Sequence, residues 1–274
     1  MNLYIGIDVG TSACRACAID ERAAIVAEAR IDLPAPTRDG ARVEQAAGVW
    51  WRTLIDTLDA LCTRLNPARV SRMAVDGTSA TLLLCDKQGT PLTPGLMYND
   101  ARSTVEAEDI LATVPADCAA QGASASLAKL LHLRETISES AYLAVHQADW
   151  LAGMLTGRFA VSDENNALKL GYDPIQRRWP GWLSRLDIQP ERLPAVFPAG
   201  SPIGTLRGTL TKRWNLPDAV EVVAGTTDST AGFIAAGADT TGTAVTALGS
   251  TLVIKLLSDQ PVFAALWCVQ SSAG

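Results

Sequence analysis

The chain has 274 residues, 48% hydrophobic and 19% charged, a composition that supports a packed core and argues against disorder. Its 29 acidic and 23 basic residues leave a net charge of −6 with no Lys or Arg run, which argues against a nucleic-acid surface. No stretch of about 18 apolar residues is present, and Met1–Ile5 lacks the basic and apolar regions of a secretory signal; a cytoplasmic chain with no membrane partner is expected.

Leu3–Asp8 is a short apolar run ending near Gly10 and reads as a buried strand. Ala13–Ile19 and Ala24–Ile31 read as two further strands, joined by the turn-like Asp20-Glu21-Arg22 into a hairpin. Pro34 and Pro36 break the pattern, and Thr37–Gly40 reads as a polar loop. From Val43 to Leu65 the apolar residues Val43, Ala47, Trp50, Leu54, Leu58, Leu61 and Leu65 recur at spacings of three and four, which predicts one helix. Arg69–Val75 and Ala80–Cys85 read as strands. Three strands, a helix and two more strands imply a mixed sheet opened by antiparallel strands rather than a plain βαβ repeat.

Ala101–Leu170 reads as mostly helical with a break at Pro115, and Gln147–Thr156 ends at Gly157, a suitable C-cap. Asp173–Pro202 reads as short helices and loops. Val220–Val223 is a strand, about Thr227–Ala236 a helix, and Thr243–Leu248 with Leu252–Leu257 a hairpin around Gly249-Ser250-Thr251. Of the six cysteines, Cys14 and Cys17 have C-x-x-C spacing but lie in a predicted strand with no second pair, so free thiols are the expected state. His132 and His146 show no surrounding Cys or carboxylate pattern and read as surface or core histidines.

Chemistry-bearing residues gather at predicted strand ends. Asp8-Val9-Gly10-Thr11-Ser12 sets a carboxylate beside a Gly turn and two hydroxyls, which suits a magnesium–phosphate site or, equally, a hairpin with a capping Asp. Asp76-Gly77-Thr78-Ser79 repeats that chemistry at another strand end, and one shared cleft would serve both. Tyr98-Asn99-Asp100-Ala101-Arg102 offers donors and acceptors for several hydroxyls, while Asp100 also suits an N-cap. Thr226-Thr227-Asp228-Ser229 follows a strand and a Gly turn. Asp228 there suits either a helix cap or the acceptor of a proton from a substrate hydroxyl. Backbone amides in Gly249-Ser250-Thr251 suit a terminal phosphate.

In this order the motifs resemble the FGGY family of carbohydrate kinases. The set runs through Ile5–Ser12, Asp76–Ser79, Tyr98–Arg102, Asp149-Trp150-Leu151 to Gly157, Ser162-Asp163 with Asn166-Ala167, Ala224–Ser229 and Leu248–Thr251. The resemblance covers about residues 3 to 263. It is strongest to the group similar to D-ribulose kinases and xylulose-kinase-like proteins.

The resemblance implies an α/β, ribonuclease-H-like fold of the actin and hexokinase type, with a mixed sheet and a helical insertion. It implies ATP and Mg²⁺ as cofactors and a small sugar or polyol, such as D-ribulose or xylulose, as acceptor. A second copy of the chain in a homodimer is a further expected partner. Asp228 matches the general base, and Asp8 the metal and substrate region. Ser79 and Asp100 lie on the sugar side, and Gly10, Thr11, Ser12 and Gly249 to Thr251 on the phosphates. Family members continue into a second domain that this sequence lacks, and residues 264–274 do not match the family. The expectation is a sugar-binding domain over residues 1–263 followed by an atypical tail from truncation or a shifted frame. The alternative is a non-catalytic sugar-binding or regulatory module of the same fold.

Overall fold

The computed structural model describes residues 1–138, 142–248 and 252–260. Strands β1 (Leu3–Val9), β2 (Ala13–Asp20) and β3 (Ile25–Asp32) form an antiparallel meander. Alternation along β1 buries Leu3, Ile5, Ile7 and Val9. Strands β4 (Thr37–Asp39) and β5 (Arg42–Gln45) pair next as a hairpin, and helix α1 (Ala47–Cys62) follows. This corrects two expectations: Thr37–Asp39 is a strand rather than loop, and Val43 is in β5 rather than in the helix. Val43 is buried by strand pairing and not by helical period, because Gly40 takes a left-handed φ of 56° and reverses the chain. From α1, Trp50, Leu54, Leu58 and Leu61 pack on β2 and β3, as the spacing predicts.

Strands β6 (Val70–Gly77), β7 (Leu82–Cys85) and β8 (Gly95–Leu96) precede helices α2 (Thr104–Leu111) and α3 (Ser126–Arg134). Then come β9 (Leu143–His146), α4 (Gln147–Thr156), β10 (Val161–Asp163) and α5 (Glu164–Leu168). The expected helical stretch is thus interrupted by two strands. Leu143–His146 is buried throughout and pairs antiparallel with β7, so sheet pairing outweighs local helical character. Helix α4 ends at Gly157, whose φ is 88°. Beyond two short 3₁₀ turns lie β11 (Ala195–Phe197), β12 (Pro202–Thr205), α6 (Gly208–Trp214), β13 (Glu221–Thr227) and α7 (Asp228–Ala235). A hairpin of β14 (Ala244–Leu248) and β15 (Leu252–Leu256) follows, with Leu248, Leu252, Ile254 and Leu256 exposed.

The main sheet has the order β12-β13-β6-β1-β2-β3, and its middle strands β13, β6 and β1 run parallel. A second sheet, β4-β5-β8-β7-β9, lies beside it. Strand β7 serves both layers: Leu83 and Cys85 enter the core under the main sheet, Leu82 and Leu84 the core under α3. The β13–β6 ladder shifts register between Val223 and Thr226. A Cβ at Gly225 would lie 1.8 Å from the carbonyl oxygen of Val75, so the bulge admits glycine alone.

Cys14 and Cys17 lie three apart on β2 and face opposite sides of the sheet. Both are free thiols, and burial pushes Cys14 up to about 11. Among the described residues no helix is long and apolar enough to cross a membrane.

Candidate functional site

Three parallel strands end at the same edge of the main sheet, and each brings a carboxylate there. Asp8 is the penultimate residue of β1, and Asp76 lies beside it in register on β6. Thr226 on β13 is the partner of Asp76 on the other side, and Asp228 follows two residues later as the first residue of α7. The site is acidic enough to perturb its own members. Burial raises the Asp76 carboxyl to about 8, with the negative charges of Asp8 and then Asp228 adding to it. Burial also raises Asp228, and Asp8 adds to the effect; the backbone N–H groups of Ser229 and Ser79 and the Lys255 ammonium oppose it. Asp8 and Asp228 are therefore close enough for their charges to interact. Arg15, opposite Asp8 on β2, donates to Asp8 Oδ2 at 2.9 Å.

The residues flanking the carboxylates are polar and oriented by their own contacts. Gly10 donates its N–H to the Ala13 carbonyl (3.1 Å), closing the tight turn that holds Thr11, half-buried, and Ser12, exposed. Ser79 is half-buried next to Asp228. Its neighbour Thr78 is fixed by Gln147 of α4, whose Oε1 accepts from the Thr78 N–H (3.1 Å) and hydroxyl (2.9 Å). Gly249, Ser250 and Thr251 lie outside the described residues, as does the tail 264–274.

Asp100 stands differently from the expectation that it faces a sugar. It is 0% exposed, and its oxygens accept from the Val43 N–H at 2.6 Å and the Arg102 guanidinium at 2.7 Å. Arg102 also reaches Glu44 at 2.9 Å. Asp100 is thus an internal anchor for the Tyr98–Arg102 segment, and the local pattern that offered both a cap and a ligand resolves to neither.

Two further buried clusters lie outside the expected site residues. Asp163 caps α5 by accepting from the N–H groups of Asn165 (2.8 Å) and Asn166 (3.0 Å), and Asn165 Nδ2 donates to Thr226 Oγ1 at 2.9 Å. Burial raises the Asp163 carboxyl, and the nearby Asp149 charge adds. His146 is buried with Nε2 2.8 Å from Ser126 Oγ and Nδ1 3.1 Å from Asp149 Oδ2. That is a Ser-His-Asp chain, but Ser126 is itself sealed, so no substrate reaches its hydroxyl and the chain ties α3 to α4. This corrects the reading that His146 has no carboxylate pattern around it: Asp149, three residues on and in the first turn of α4, is its partner.

The donor set suits a hard cation. Asp76 Oδ1 is buried with no hydrogen-bond partner, beside Asp8, whose charge already attracts the Arg15 guanidinium. No group of three His, Cys, Asp or Glu is arranged to hold a metal ion among the described residues. One or two carboxylates are what Mg²⁺ uses when water and phosphate complete its shell.

Residues 3–235 match the FGGY family of carbohydrate kinases, N-terminal domain. The chain is 26% identical over 271 residues to a xylulose kinase of Klebsiella pneumoniae, covering 94% of this chain and 55% of that protein. Two solved structures from Lactobacillus acidophilus superpose closely. A ligand-bound xylulose kinase gives a TM-score of 0.85 at 18% identity, covering 96% of this chain and 55% of the other. A gluconate kinase gives 0.86 at 19%, covering 95% and 55%. The fold is shared with both, and the two are named for different substrates. The chain spans about half the length of the curated relatives it matches.

Proposed function

The chain belongs to the FGGY family of carbohydrate kinases, and we propose that it supplies the sugar-binding half and the catalytic base of an ATP-dependent sugar or polyol kinase. The observation that carries this reading is the convergence of Asp8, Asp76 and Asp228 at the ends of three adjoining parallel strands. A ketopentose is the preferred acceptor, xylulose or D-ribulose, because the family's xylulose kinases match over most of this chain. In this reading residues 1–263 form the sugar-binding unit, and the rest of the nucleotide site lies in sequence that the longer relatives carry.

Asp228 accepts the proton of the attacking hydroxyl. Its raised affinity for protons, from burial and the facing Asp8, suits it to that task. Ser79, whose N–H points to Asp228, orients the same hydroxyl group's sugar. Asp8, with Asp76 beside it, would hold Mg²⁺, whose charge would offset that on the transferring phosphoryl group. The Gly10–Ser12 turn offers backbone amides and hydroxyls to the phosphates, and the Gly249-Ser250-Thr251 sequence, by its residue types, would offer the same. Asp100 supports the sugar side indirectly, by holding Arg102 and the start of β5.

The test is a panel of pentoses, pentuloses and polyols, read by heat of binding on this chain and by ADP release, with ATP and Mg²⁺, on the chain joined to the nucleotide half that the longer relatives carry. A pentulose that binds, and that the Asp228→Ala variant also binds while releasing no ADP, supports the assignment. A panel with no binder removes the sugar site; unchanged ADP release in the variant removes the base.

A further inference from the structure

Lys129 is 0% exposed on α3, a helix buried on most of its sides, whose Leu127, Leu130, Leu131 and Leu133 enter an apolar core. Its Nζ donates to two main-chain carbonyls from separate segments, Ala80 at 2.8 Å and Met97 at 2.7 Å. Ala80 directly follows Ser79 and has a φ of 65°, a left-handed conformation that a residue with a Cβ takes only under constraint. Met97 opens the Tyr98–Arg102 segment, and its carbonyl also accepts the Asp100 N–H at 2.9 Å. In that segment Asn99 Oδ1 is buried without a protein partner, which leaves an acceptor unspent.

We propose that Lys129 is a positioning residue for the sugar-side wall: its buried amine ties the strained Ser79–Ala80 turn to the Met97–Arg102 segment and so sets the spacing against which a sugar's hydroxyls are measured. The tie stands on geometry alone; what enters the gap rests on the kinase reading. Packing does not require an amine here, because Met has a similar length and volume. Burial is costly to the ammonium and draws Lys129 down to about 7, opposed by the Asp100 charge, so the position retains a group that weakens the core. Gln147 fixes Thr78 from the other side of the same turn, so the two buried side chains bracket Ser79.

The experiment compares wild type, Lys129→Met and the packing control Leu130→Met in the 274-residue chain. It reads melting temperature, amide hydrogen exchange, and the dissociation constants of D-xylulose and D-ribulose. Lys129→Met is expected to melt at or above wild type, to exchange at least tenfold faster at residues 79–81 and 98–102, and to bind the pentulose at least tenfold more weakly. Leu130→Met is expected to leave exchange in those segments and the pentulose affinity unchanged. A merely structural lysine would instead lower the melting temperature and speed exchange evenly across α3 and its core. Unchanged exchange at both segments in Lys129→Met overturns the tie, whatever the ligand result. Faster exchange with an unchanged dissociation constant overturns the positioning role and leaves the kinase reading intact. A wild type that binds neither pentulose removes the ketopentose preference and the positioning role argued from it, while exchange still decides the tie. Should Lys129→Met not fold, Lys129→Gln, with a donor of shorter reach, is judged by the same exchange measurement.

Discussion

Asp76 is the cross-strand neighbour of Asp8 on the parallel β1–β6 ladder, and its Oδ1 is buried without a hydrogen-bond partner. Asp8 has Arg15 on its other side, so the compensating cation reaches one carboxylate and not its neighbour. Asp76 therefore bears most of the repulsion at the strand ends.

This fixes the sign of a pH effect. Asp76 titrates near 8 when folded, against an ordinary value of 3.8, so between those values the folded chain holds more protons than the unfolded one. Its contribution to stability is present below pH 4 and is lost as pH rises toward 8. Asp76→Asn removes the loss. The variant is expected to exceed wild type at pH 8 by on the order of 2 kcal/mol, roughly 5 °C in melting temperature, and to show a smaller gain at pH 5. Thermal melts of both proteins across that range, without added metal, provide the check.

Magnesium should act through the same carboxylates. At a free concentration about ten times the dissociation constant, a bound ion adds about 1.4 kcal/mol of stability. Wild type at pH 8 is expected to gain about 3 °C when millimolar Mg²⁺ replaces a chelator. Asp8→Asn is expected to gain under 1 °C. A gain of equal size in that variant would move the cation elsewhere.

For Asp228 the proposed role separates chemistry from binding. In the chain joined to the nucleotide half that the longer relatives carry, Asp228→Ala is expected to cost about 10²- to 10⁴-fold in ADP release, the range for loss of a general base. Its affinity for the pentulose should stay within about threefold of wild type. A coupled ADP assay beside a binding titration distinguishes this from a collapsed site, in which both would fall.

Gly225 makes a prediction that needs no ligand. An added Cβ would collide with the Val75 carbonyl, which belongs to the backbone of the central strand and cannot turn aside. Gly225→Ala is expected to lose about 3 kcal/mol or more in a denaturant melt, or to fail to fold.

The sequence was most informative where structure and chemistry coincide over a few residues. Asp8-Val9-Gly10 and Asp76-Gly77 are legible because an apolar strand must end before a polar turn, so a carboxylate there faces a strand-end opening. The Val43 assignment failed because apolar spacing cannot distinguish a buried strand residue from a helical one when a four-residue strand abuts a helix. Asp100 was ambiguous locally; its fate is decided by Val43 and Glu44, more than fifty residues away. Lys129 did leave a trace, as a single lysine amid Leu127-Ala128 and Leu130-Leu131. Its partners at positions 80 and 97 are matters of tertiary pairing, which no window along the chain contains.

Strand β7 joins the two halves of the molecule mechanically. Successive side chains of one four-residue ribbon are rooted in opposite oily layers, so neither layer can loosen without dragging the other. The helical cap over α3 and the main sheet should consequently come apart in one step. The wall that Lys129 steadies inherits the rigidity of the whole body instead of behaving as a loose flap.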